Sequence, residues 1–127
     1  MRMTTCTMLA ALHDYWAQTG LPCRLEGHTH QAMETPYLLY TARRCDFGES
    51  VKATATAWFS GRDAMKRRAE LMRMMEEMLP PEGKKVFVQG GMLVLERDRE
   101  NYMEMIGNDK DPVMIGLRML VTIRVYG

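Results

Sequence analysis

The stretch Pro112 to Tyr126 reads PVMIGLRMLVTIRVY, and every odd position from 113 to 125 is apolar. A helix would scatter Val113, Ile115, Leu117, Met119, Val121, Ile123 and Val125 around its circumference. A strand places all seven on one face. The even positions mix Gly116, Arg118, Thr122 and Arg124 with Met114, Leu120 and Tyr126. At a rise of about 3.3 Å per residue the run after the proline spans roughly 46 Å. Few strands in small domains are that long, so the strand is expected to bend at Gly116 or to project at one end.

The other elements follow from the same periodicities. Residues 4–18 read as a helix capped by Thr4 or Thr5, with Leu9, Leu12 and Trp16 at helical spacing and Gly20 and Pro22 as its stop. Pro22–Glu26 is a candidate short strand, and GHTHQAMETP a loop ending at Pro36. Tyr37–Phe47 (YLLYTARRCDF) and Val51–Phe59 (VKATATAWF) read as a hairpin. The second strand buries Val51, Ala53, Ala55, Ala57 and Phe59, and its row of alanines admits a helix closely. Ser60–Leu79 is the second helix, with Ser60 and Asp63 as a capping box and Pro80-Pro81 as its end. Lys85–Gln89 and Met92–Arg97 flank Gly90-Gly91, a two-residue hairpin turn. Asp98–Asp111 is then a long connecting loop of the kind that often carries function. The order is α-β-β-β-α-β-β-β. It predicts one α+β domain over residues 1–127: a twisted antiparallel sheet of five to six strands with both helices on one side.

Composition narrows the function classes. The net charge of +1 and 26% charged residues argue against a dedicated polyanion binder. No apolar run approaches the ~20 residues of a membrane span. Residues 1–16 read as a helix and not a signal peptide, because His13 and Asp14 follow the apolar centre directly. Three scattered cysteines, Cys6, Cys23 and Cys45, read as free thiols of a reducing compartment. Fourteen methionines are consistent with a loosely built core or with an adaptable contact surface.

Candidate chemistry is sparse. His28 and His30, with Cys23 and Cys45, lack the paired spacing of a metal site. His13-Asp14 lies near no activated thiol, and no Gly-rich phosphate loop is present. No cofactor and no enzymatic activity are expected. Arg43, Arg44, Arg118 and Arg124 could share a sheet face with Tyr37 or Tyr40, as in RNA-binding sheets, but the aromatic spacing departs from the RNP signature.

Taken together, PYLLYTARRCDF, VKATATAWF, RDAMKRRAELMRMMEEML, the glycine hairpin and the terminal strand resemble the small tail-terminator and minor capsid (tail-completion) proteins of long-tailed bacteriophages and prophages. The resemblance covers nearly the whole chain in element order. It implies a structural virion protein, made in the host bacterial cytoplasm. Such a protein assembles as a homo-oligomeric ring, often sixfold, that ends the tail tube and joins it to the head connector. A ring subunit needs contact patches, and Tyr102, Met103, Met105 and Ile106, with Arg118 and Arg124, are the candidate subunit interface. The alternative is a small α+β module that binds RNA or another ligand.

Overall fold

A computed structural model describes residues 5–26, 33–44, 50–99 and 101–126. The chain forms α1 (Thr5–Ala17), β1 (Cys23–Leu25), β2 (Tyr37–Arg44), β3 (Ser50–Phe59), α2 (Ala64–Met78), β4 (Lys84–Val88), β5 (Gly91–Arg97), β6 (Met103–Gly107) and β7 (Ile115–Tyr126). The strands make one sheet in the order β1-β2-β3-β7-β5-β4, with β6 also paired to β7. The α+β class stands. The sheet, however, is mixed, because β1 and β2 run parallel, and it is strongly curled. A parallel pair needs a crossover of about a dozen residues, and the chain between Leu25 and Tyr37 supplies it. The curl brings both edge strands, β1 and β4, against α1, while α2 touches β3 and β7.

Strand β7 is the axis of the fold. It pairs with β3 over residues 115–124 on one side. On its other side it pairs with β6 over 115–119 and with β5 over 121–126. Neither end projects. Leu117, Met119, Val121 and Ile123 are buried as their alternation requires, whereas Val113 falls in the preceding turn and is exposed. Burying four such side chains contributes on the order of 6–12 kcal/mol before conformational entropy. They join Ala53, Ala55 and Ala57 of β3, Leu12 and Trp16 of α1, and Leu71 and Met75 of α2 in one core.

Gly116 lies within the paired ladder, opposite Trp58 on one side and Ile106 on the other. A Cβ there would lie 2.9 Å from two ring carbons of Trp58 and 3.0 Å from Ile106 Cγ1, so the indole packs directly against the bare backbone. The expected loop 98–111 contains β6, which is short and rests on the edge of β7. Opposite Leu120 the partner strand breaks: Arg97 pairs with Val121 and Met103 with Met119. Residues 98–99 and 101–102 lie in the interval between these two pairings. That interval is pinned at both ends by Asp98 N to Leu120 O at 3.1 Å and Leu120 N to Tyr102 O at 2.8 Å.

Helix α2 starts at Ala64, and no side-chain capping bond forms at Asp63. Ser60 is engaged elsewhere, hydrogen-bonded to Thr35 across the end of the sheet. The β4–β5 turn is Gln89-Gly90, one residue earlier than the glycine pair suggests. Gly90 takes φ 89° while Gly91 is already paired with Val88. Thr4, the cysteine at 45 and the end of the strand predicted to reach Phe47 lie outside the described residues.

Candidate functional site

Register and burial define two faces of the sheet. The inner face carries the core. The outer face carries Thr54, Thr56 and Trp58 of β3, Arg118, Thr122 and Arg124 of β7, and Tyr37 and Leu39 of β2. Tyr37 therefore shares a face with Arg118 and Arg124. Tyr40 points inward, is buried, and shares a 2.9 Å hydrogen bond with His13 Nδ1. The side chains of Arg43 and Arg44 lie outside the described residues.

The candidate interface residues divide sharply. Ile106 and Arg118 share the outer face, because Ile106 pairs with Gly116 and Glu104 with Arg118, whereas Met103 pairs with buried Met119 and turns to the core side. Arg118 Nη1 lies 3.6 Å from Glu104 Oε2. Arg124 is six residues further along β7, roughly 20 Å away, and faces Glu96 at 3.4 Å. Met105 is 61% exposed on a strand whose second edge is unpaired among the described residues. Among the six it is the freest apolar group.

Tyr102 belongs largely to the interior. Its hydroxyl donates to Met75 O at 3.0 Å, and burial, the largest influence, raises its pKa to about 12. Arg97 stacks on its ring and donates from Nε to Leu79 O at 2.6 Å and from Nη2 to Glu76 O at 3.0 Å. Arg97 thus closes the carbonyl end of α2, where a cation is favoured by unpaired carbonyls and the helix dipole. The sequence gives no hint of this role, since eighteen residues separate Arg97 from Leu79.

Two shallow sites border the sheet. One, of about 290 Å³, is lined by Thr19, Leu21, Pro36, Phe59, Arg67, Glu70, Leu71 and Met74. The other is a polar groove of about 440 Å³ on the outer face, with Lys52, Arg99, Arg124, Thr122 and Glu96 in its walls. Among the described residues no three His, Cys, Asp or Glu side chains converge as a metal site. The segment carrying His28 and His30 and the side chain of Cys6 lie outside the described residues. Cys23 donates its thiol to Leu21 O at 3.1 Å, and burial pushes its pKa up, away from the thiolate a nucleophile needs. No helix among the described residues is long and apolar enough to cross a membrane. A scan against protein-family models found no match for the chain, and a search of curated proteins found none.

Proposed function

We propose that this chain is a structural subunit of a phage or prophage virion, built to assemble into a ring that ends the tail tube and joins it to the head connector. The observation that carries this reading is the β6 ribbon. Among the described residues strand β6 pairs with β7 alone and its other edge has no partner, with Met105 exposed beside it. Unpaired edges recruit other chains unless they are blunted, and a flexible apolar side chain adapts to a partner surface. The resemblance in element order supplies the kind of assembly. Light scattering behind size exclusion, over a hundredfold range of concentration, tests it: assembly beyond a dimer, with rings in negative stain, is the expected result. Met105→Asp should weaken the contact of this edge with its neighbour or with the tube without unfolding the chain. It is a better probe than Tyr102, whose loss would disturb the core.

A second reading has its own observation. The outer groove combines Lys52, Arg99 and Arg124 with Tyr126 at its margin, in two adjoining hollows that share Thr122 and Arg124. Cations beside an aromatic ring suit single-stranded nucleic acid. Co-purifying absorbance at 260 nm that disappears after a high-salt wash would favour that reading over the ring.

A further inference from the structure

The sheet carries an apolar knob at one end and a pocket at the other. The knob is Phe87, 78% exposed on edge strand β4. Its neighbours Val86 and Val88 pack on the core, so the phenyl ring stands on the outer face. It is not a solitary surface hydrophobe. Phe87 pairs with Met92 and Met92 with Tyr126, which is itself 45% exposed, so three large side chains form a row across β4, β5 and β7. That row lies just beyond the rung that pairs Val94 with Arg124 and Arg124 with Ser50, at the start of β3.

The pocket lies beyond the far end of β3, where Phe59, Leu21, Pro36, Leu71 and Met74 form its apolar walls. The ten residues of β3 put the two features roughly 30 Å apart. A chain therefore cannot fill its own pocket. At about 290 Å³ the pocket is near the small end of ligand sites, large enough to admit one aromatic side chain. Its rim carries both Arg67 and Glu70, and Glu70 offers an acidic partner to Lys85, which is exposed two residues from Phe87 on the same face of β4.

We propose that Phe87 of one copy of this chain inserts into the Leu21–Phe59–Met74 pocket of the next, with Lys85 set against Glu70. This rests on the ring-subunit reading and names the contact that would build the ring. Knob and pocket are different surfaces, so the contact is head-to-tail, the kind that closes into a ring when its rotation permits. The open edge of β6 is then left for another component of the assembly.

Complementation tests the contact. Phe87→Asp removes the knob and keeps the pocket; Met74→Asp spoils the pocket and keeps the knob. Both sites are exposed, and circular dichroism with a thermal melt checks that each variant remains folded. The wild-type chain should assemble beyond a dimer. Each variant alone should be monomeric, with self-association weakened about a hundredfold or more, as for loss of a central aromatic anchor. Their equimolar mixture should form dimers and stop there, because each pair retains one knob–pocket contact and no free complementary surface. Lys85→Glu should weaken assembly, and adding Glu70→Lys should restore it. If the wild type assembles but either variant assembles equally well, or the mixture stays monomeric, this contact is overturned while the ring reading stands. A wild type that stays monomeric up to millimolar concentration overturns both.

Discussion

The guanidinium of Arg97 lies 4.8 Å from the ring centroid of Tyr102, and the two side chains together hold the C-terminal turn of α2. Arg97 takes the carbonyls of Glu76 and Leu79, and Tyr102 takes that of Met75. The break between β5 and β6 thus positions the helix that crosses the sheet. Arg97→Met should cost about 2–3 kcal/mol, since it deletes two charge-assisted bonds and leaves carbonyls without a donor. Arg97→Lys should recover part of this. Urea denaturation measures both, and equal stabilities for Met and wild type would remove Arg97 from the capping role.

Tyr102 also gives the fold an alkaline limit. Its pKa rises from 10.0 to about 12, chiefly through burial. The folded state therefore holds the phenolic proton more tightly than the unfolded one. The associated stability is fully present below pH 10 and is lost as pH rises through about 12. The ring edge is partly wet, so the loss is on the order of 1–2 kcal/mol. Tyr15, raised in the same direction by burial, adds to it. Tyr102→Phe should cost about 1 kcal/mol at pH 8 for the bond to Met75 O. It should also flatten the decline between pH 10 and about 12. An unchanged slope in that variant would assign the alkaline loss to other groups.

Gly116 is a position of close approach. Gly116→Ala should destabilise by about 1–3 kcal/mol, because its methyl would lie 2.9 Å from two carbons of the Trp58 ring. Trimming the indole with Trp58→Leu should relieve much of that penalty, and a double-mutant cycle reads the coupling directly. Strictly additive losses would mean that the glycine is needed for some reason other than the tryptophan.

The Arg118–Glu104 pair has a side-chain exposure of 44% and 48% on its two partners. Glu104→Gln should change monomer stability by less than about 1 kcal/mol. A larger loss in a chemical melt would show that β6 depends on this pair.

Much of the fold was legible because the central strands alternate cleanly. Val51 to Phe59 and Leu117 to Ile123 turned their apolar sides inward as written, and both helices occupy their expected stretches. Strand β6 was missed because five residues, Met-Glu-Met-Ile-Gly, carry too little alternation to stand apart from a loop. The parallel pairing of β1 is a tertiary choice that no local pattern records. Ser60 has the chemistry of a helix cap, but Thr35 lies closer in space and takes its hydroxyl. At the candidate interface, Met105 was visible as an apolar residue in a polar frame. The inward turn of Tyr102 was not, because its partner Met75 lies on a helix twenty-seven residues away. Phe87 reads in the sequence only as part of a hairpin, because its exposure follows from the place of β4 at the edge of the sheet.

The most direct test of the central claim is the mass of the wild-type chain in solution, followed from micromolar to millimolar concentration and imaged in negative stain. A discrete, closed ring of about six copies, the order the resemblance implies, formed through head-to-tail contacts, is the expected result. A single chain at every concentration would contradict it.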